Sequence, residues 1–581
     1  MRPFLIAFAA ACMALLATSF QYAGTAGTPL NKKIYLEQKR LQMVRCSPDW
    51  SSFTIADSTV QQLPVLPGWG NYKWAISTKN DSAQLYFNQG ISMYYAFHIV
   101  ESLASFLKAQ RFDSTCAMLY WAEALAYGPN INDFEYTASP AALKAVKKAV
   151  ALSVKSSQKE KILINAMAVR YSPDTSASRS ALNQAYTNKM KEAYLQINAD
   201  ADIAALYADA MMQQHPWDLW QHDGKAKPWT GTIESVLEKL LKQSPDHPGA
   251  NHYYVHTMEA SPQPQKALAS ADKLGSLMPD VSHLVHMPSH IYIRTGNYNK
   301  GEIVNENAVK GFNIYLGLYP GVAANAPLYL IHNLHMQSAS AMMDGNYQYA
   351  IKTALACRNS FDTSLMSLPA PMNNYVQYVY MSPVFIQIRF GKWDDILNAS
   401  AIPGNYVYAA ALAHFAKGLA HAKKSQHKEA INELNKLKEL MKDPSLAIPL
   451  KPFNSALEAL QVAEKILDGN IAEEQVDLTL AVDNYKDAVS YEDAMIYNEP
   501  KDWLIPARHY LGAALLKKEN PAEAEDVFKE DLKENPKNGW ALFGLYQSLL
   551  SQNKNTAASS VLEQFKKAFI RNDVKPSASV F

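Results

Sequence analysis

The sequence predicts an all-α fold, an α-solenoid of stacked helical hairpins behind an irregular N-terminal lead, and three observations carry that prediction. From about Asp81 onward helical patterns dominate almost without interruption, and strand-like alternation is scarce. Turn signals return about every 15–20 residues, the rhythm of two helices joined by a short turn. Near the C-terminus, Leu511-Gly512, Ala524, Phe528 and Pro536 stand at fixed spacing, and Leu545, Ala558 and Phe565 follow in register. Each residue type has a mechanical reason. Gly512 lets the first helix of a hairpin approach its neighbours, Ala524 lets the second pack tightly, and Pro536 ends that second helix.

Taken in order, the chain opens with a basic start, Met1-Arg2, and an apolar run from Phe4 to Leu16, followed by small residues from Ala17 to Gly27. That run is too short to span a bilayer comfortably, so 1–26 is expected to be a removable export signal. Cys12 as a lipid-attachment site is the lesser alternative, because the apolar stretch continues past it and no Leu stands three residues before it. Residues 27–80 mix Pro, Gly, Ser and aromatics and are expected to be irregular. Residues 81–400 form the first block of hairpins and 401–570 the C-terminal repeats, with 571–581 a tail. Within the first block, Phe87-Asn88-Gln89-Gly90 opens a unit, while Gly296-Asn297-Tyr298, Gly345-Asn346-Tyr347 and Gly391-Lys392-Trp393 mark hairpin turns. Residues 140–220 read as helical without a definable phase.

Composition excludes several classes. Among 581 residues, 55 Lys+Arg balance 54 Asp+Glu, which argues against nucleic acid as a partner. Four cysteines rule out a disulfide-stapled scaffold. No second apolar run is long enough to cross a membrane. The mature protein is therefore expected outside the cytoplasm, periplasmic or extracellular, with Cys46, Cys116 and Cys357 as buried or free thiols.

The spacing around Gly512 resembles the tetratricopeptide repeat, and the resemblance extends over most of residues 81–570. Tyr86-Phe87-Asn88-Gln89-Gly90, Cys116-Ala117-Met118-Leu119-Tyr120-Trp121, Gly128-Pro129-Asn130-Ile131-Asn132 and Pro216-Trp217-Asp218-Leu219-Trp220 are similar to strings in a family of secreted bacterial tetratricopeptide proteins of uncertain function. The runs from His283 to Tyr292 and from Asn538 to Leu545 belong to the same set. The resemblance implies a solenoid and brings no reaction with it.

Histidines supply the candidate chemistry. His283, His286 and His290 lie thirteen, ten and six residues before the Gly296 turn, and His332 and His335 lie thirteen and ten before Gly345. With a preceding turn near Pro262, His252, His256 and Glu259 fall ten, six and three residues before it. At about 100° per residue these offsets share one helical face. First helices of adjacent repeats stack roughly 10 Å apart. Seven of fifteen histidines and one carboxylate are thus expected on a common concave groove. Neutral imidazole with carboxylate suits a transition metal such as zinc, copper or iron. His252, His256, Glu259, His286 and His290 form the expected ligand set, with His283, His332 and His335 as a second site or supporting shell. His252-Tyr-Tyr-Val-His256 is not the His-Glu-X-X-His protease motif, because no general base stands between the histidines. A metal-dependent enzyme using water or oxygen chemistry is one reading. A groove capturing a peptide, a protein segment or a small molecule without metal is the other. His509, ten residues before Glu519, is expected at the far end of the groove. Trp217 and Trp220 read as packing and turn residues, and no phosphate-cradling loop or Ser-His-Asp arrangement is evident.

Overall fold

Helices follow one another from Asp81 to Ala568, and each packs chiefly against its neighbours in sequence, so the chain is an α-solenoid of tetratricopeptide-type hairpins. This architecture is seen in a computed structural model that describes residues 48–581 apart from 134–135, 175, 198 and 324–327. The expected signal segment at 1–26, Cys12, Cys46 and the first part of the lead lie outside the described residues. Among the described residues there is no β-strand, only an isolated bridge between Trp220 and Ala226, and no helix long and apolar enough to cross a membrane.

The hairpins close as their small residues dictate. A Cβ at Gly512 would lie 2.3 Å from the Phe528 ring, and one at Gly544 would lie 2.2 Å from the other side of that ring. Phe528 therefore fills a slot between two repeats that only glycine leaves open. Ala524 is fully buried beside it, and the Pro521–Glu534 helix stops just before Pro536. At the turns Gly296, Gly345 and Gly391 take φ of 70°, 75° and 62°, the left-handed region that glycine enters without steric cost. Residues 140–220 resolve into helices Pro140–Leu152, Gln158–Ala168, Arg179–Gln196 and Ala201–Gln214.

The lead from 48 to 80 is largely non-helical but firmly seated. Trp50, Leu63, Leu66 and Trp74 are buried. The first hairpin helix, Asp81–Tyr95, turns polar side chains toward the lead: Gln89 accepts from the Leu66 N–H at 2.8 Å, Asn88 from Trp74 at 3.2 Å and Gln84 from Ile76 at 3.1 Å. The tail is woven in as well. Asp573 accepts hydrogen bonds from the Tyr347 and Gln348 N–H groups, and the Ser579 carbonyl accepts one from Arg389 at 2.7 Å.

Buried apolar residues fall into two main cores, one running from Trp50 to Ala323 and one from Tyr298 to Phe569. The histidine-bearing helices stand where these cores meet.

Candidate metal centre

Three successive first helices supply the imidazoles. The Pro248–Met258 helix, started by Pro248 and capped by His247 accepting from the Ala250 N–H at 3.1 Å, carries His252 and His256. His283, His286 and His290 lie on two short helices, Ser282–His286 and Pro288–Arg294. Pro288 lacks the N–H that would continue the ladder, but Met287 at φ −50° and ψ −35° keeps the backbone helical, so the one-face spacing survives the break. His332 and His335 lie on Leu328–Met343.

The structure sorts these side chains into two imidazole sets and a carboxylate pair. His252, His256 and His283 offer ring nitrogens that all lie within 4.8 Å of one another, and so do those of His286, His290 and His332. Glu259, His290 and Glu499 form a third group that overlaps the second at His290. The ligand set expected for one ion is thus divided: His252 and His256 go with His283, and His286 and His290 go with His332. Glu259 stands between the sets, with one oxygen 2.8 Å from His256 Nδ1 and the other 2.8 Å from His290 Nδ1.

Tautomers in the first set follow from its hydrogen bonds. His252 Nδ1 lies 2.6 Å from the Tyr95 carbonyl, which can only accept, so Nδ1 carries the proton and Nε2 keeps its lone pair. His256 Nδ1 likewise faces Glu259, leaving Nε2. Neither Nε2 atom has a hydrogen-bond partner in the protein, and neither ring nitrogen of His283 has one. A buried polar atom left unmatched costs about 1–3 kcal/mol, and four such ring nitrogens lie together here. His283 is held by its backbone, whose N–H donates to His98 Nε2 at 3.2 Å, while Phe97 lays its ring against His252, His256 and His283.

Burial and the crowding of other histidines hold His252, His283, His286 and His332 well below the ordinary imidazole range, which keeps them neutral. His290 is the exception. Burial alone would lower it, but Glu499 and Glu259 raise it to about 10. Burial would raise Glu259, yet His256 and His290 hold it below the usual carboxylate range. Burial keeps Glu499 above that range, and Tyr497 donates a hydrogen bond to it.

Two predicted residues stand apart. His335 packs on Tyr378, joins neither set, and is lowered to about 3 by burial. His509 is fully buried in its own network, 3.0 Å from Arg389, 3.1 Å from Asp531 and 2.9 Å from the Asn538 amide, which accounts for it as a structural residue. The groove also differs from expectation. The six clustered imidazoles are buried or half-buried inside the molecule, where Phe97 packs on His252, Trp217 on His256 and Glu499 on His290.

One opening remains. A cavity of about 860 Å³ reaches the cluster at His256 and Glu259. Trp217, with φ of 57° and its indole N–H on Asn132, sets its ring edge 5.7 Å from His256 and forms part of the wall with Trp220, Phe453, Tyr497 and Trp503. The wall holds nine carboxylic residues against four Lys and Arg. Sequence reasoning did not find Glu499, Asn305, Phe97 or His98. Glu499 lies in a non-helical segment far along the chain, where no spacing announces it.

The fold and cluster define a class: a tetratricopeptide-type solenoid with a buried imidazole and carboxylate centre at the junction of its two cores. No protein-family model matches the chain, and no curated protein matches it. Similar solved structures include the human IFIT1 dimer with m7Gppp-AAAA, at 13% identity, 91% of this chain, 99% of that chain and a TM-score of 0.30. The APC/C hetero-tetramer Cut9–Hcn1 matches at 12% identity over 84% of this chain and 78% of that one, with a TM-score of 0.28. Yeast Tom70 matches at 12% identity over 84% and 92%, with a TM-score of 0.26.

Proposed function

We propose that the chain is an exported metalloprotein in which the solenoid holds a transition-metal ion on His252, His256 and His283 and presents it to a small-molecule-sized cavity. The observation that carries this reading is the convergence of three buried imidazoles, each with a ring nitrogen that no protein group satisfies, two of them fixed in the metal-competent tautomer by Tyr95 and Glu259. A tetrahedral ion with bonds of about 2.0–2.1 Å needs donor nitrogens roughly 3.3 Å apart. The 4.8 Å bound on these atoms lies within a small rotation of that spacing. An all-nitrogen triad favours copper or zinc over the metals that prefer oxygen.

Three protein ligands leave a fourth position, the arrangement of sites that bind or transform a ligand rather than of purely structural ones. His256 and Glu259 line the cavity, so a ligand there lies against two residues of the centre. Small-molecule pockets run to about 300–1,000 Å³, which the cavity of about 860 Å³ fits. Its aromatic walls and carboxylate excess suit an amine-bearing or aromatic small molecule, or the end of a peptide, and repel phosphate. The export half of the proposal rests on the Phe4–Leu16 run and the small residues after it.

The test is metal content by mass spectrometry of protein purified without an affinity tag, before and after incubation with copper(II) or zinc and desalting. His252→Ala with His283→Ala is the comparison, and circular dichroism confirms that the variant remains helical. Bound metal that falls in the variant supports the proposal. No retained metal in the wild-type protein overturns it and leaves the cavity as a metal-free ligand pocket.

A further inference from the structure

We infer that the cluster is a two-ion centre, in which His286, His290 and His332 hold a second transition-metal ion beside the one on His252, His256 and His283. This rests on the metal reading above and adds to it a site, a stoichiometry and a division of labour among the ligands.

Ligand number gives the first argument. Six imidazoles and two carboxylates converge here, whereas a single zinc- or copper-like ion takes about four protein ligands. The geometry gives the second, because the nitrogens group as two triads rather than one shell. The triads are neighbours: ring centroids of His283 and His286 lie 6.0 Å apart, and those of His256 and His290 lie 6.2 Å apart.

Tautomers give the third argument. Asn305 donates its amide to the Gly301 carbonyl at 2.8 Å, so its oxygen faces His286 Nδ1 at 2.6 Å and fixes the proton there. His286 is left with Nε2 as its donor atom. His290 turns Nδ1 to Glu259 and Glu499, so Nε2 is the nitrogen it points at His286. These two Nε2 atoms meet at 2.7 Å, with the His332 ring centroid 4.6 Å from that of His286 and 5.7 Å from that of His290. The two Nε2 atoms share one proton in a hydrogen bond, and an ion taking this position replaces that proton and draws on both nitrogens. That pattern, a ligating ring backed by a carboxylate or amide oxygen, is how metal-bound histidines are held. Glu259 backs one histidine of each triad, His256 and His290, and so ties the two sites together.

The experiment loads the full chain with copper(II), which binds nitrogen sites at least as strongly as its first-row neighbours. After desalting, copper per chain is measured by mass spectrometry and its electron paramagnetic resonance is recorded. Two ions per chain are expected, with a spin count below the copper count because the ions interact. His286→Ala with His332→Ala should retain one ion, with a full-intensity isolated signal. His252→Ala with His283→Ala should also retain one. Where a double variant fails the circular dichroism check, His332→Gln alone, at the half-buried position, is the substitute and should lower the count toward one. One ion in the wild-type protein, lost in either variant pair, overturns the second site while sparing the metal reading. Loss of both ions in each pair, or retention of both, overturns the division into triads. No copper in the wild-type protein refutes the metal reading itself.

Discussion

Glu259→Gln tests the centre at the point where its two halves touch. The carboxylate is 1% exposed and lies 2.8 Å from both His256 Nδ1 and His290 Nδ1. Removing one partner of a buried ion pair costs about 3–5 kcal/mol. Here Glu499 still faces His290 and the glutamine oxygen still accepts one hydrogen bond, so the loss falls at the lower end, about 3 kcal/mol. With a urea dependence near 3 kcal/mol per molar, the unfolding midpoint of the metal-free protein drops by about 1 M. Metal binding weakens for a separate reason. Loss of the group orienting a ligating histidine typically costs about 10–100-fold in affinity, or about 1.4–2.7 kcal/mol. The assays are urea unfolding followed by circular dichroism and copper titration against a competing chelator. A midpoint unchanged within 0.2 M, taken as roughly the scatter of such curves, together with an affinity unchanged within about twofold would refute the assignment of Glu259 as the link.

Three further outcomes follow from other parts of the molecule. Glu302 and Asp344 are both raised above their ordinary 4.5 and 3.8, Glu302 by burial and by Asp344 and Asp344 by burial, with Arg571 3.0 Å from Glu302. Because the folded state holds these protons more tightly than the unfolded chain, stability is greatest below the ordinary values and is lost as pH rises through the folded ones. Glu302→Gln should therefore leave the melting temperature unchanged below about pH 4.5, raise it progressively between there and about 8, and level off above, and an equal shift at all pH values refutes the linkage. Gly512→Ala should destabilise by about 1–3 kcal/mol, since Phe528 cannot retreat from a new Cβ with Gly544 at its back. A stabilisation in urea unfolding, as ordinary helix propensity would give, would show the slot to be soft. Deleting residues 572–581 removes the Asp573 cap on Tyr347 and Gln348 and the Ser579 acceptor for Arg389. Amide exchange at Tyr347 and Gln348 should accelerate at least tenfold, as expected once a hydrogen-bonded cap worth about 1.4 kcal/mol or more is lost; unchanged exchange would show the tail to be dispensable.

Much of the fold was legible because its rules are local. Gly296, Gly345 and Gly391 announce turns that require a left-handed residue. The same position in other hairpins is taken by Ser425, Val476, Glu519 and Asn553, at φ between 55° and 64°, and there the residue type gives no warning. The 140–220 stretch could not be phased for a related reason. The Arg179–Gln196 helix buries only Tyr186, Thr187, Met190 and Ala193, so its apolar stripe is thin. The lead read as irregular and is so in secondary structure. Its anchoring through Gln84, Asn88 and Gln89 was hidden, because buried amides that receive backbone N–H groups look in sequence like an exposed polar face.

The site divides along the same line between local and distant information. Offsets from the turns named every imidazole of both triads, since a helical face is a property of spacing. They also swept in His335, which shares the direction but meets Tyr378 instead of another histidine. Spacing says which way a side chain points and nothing of what comes to meet it. The residues that turn a groove into an enclosed centre come from elsewhere: the Tyr95 carbonyl and Phe97 from the first hairpin, Glu499 from the C-terminal half. Glu499 has the sharpest consequence. His290, on a helix at the edge of the N-terminal core, is balanced by a carboxylate that arrives only when the C-terminal repeats curl back onto it. The charge balance of the centre therefore depends on a contact between distant parts of the chain, so that on the proposed metal reading affinity for the ion and the docking of the two cores are linked quantities rather than separate properties.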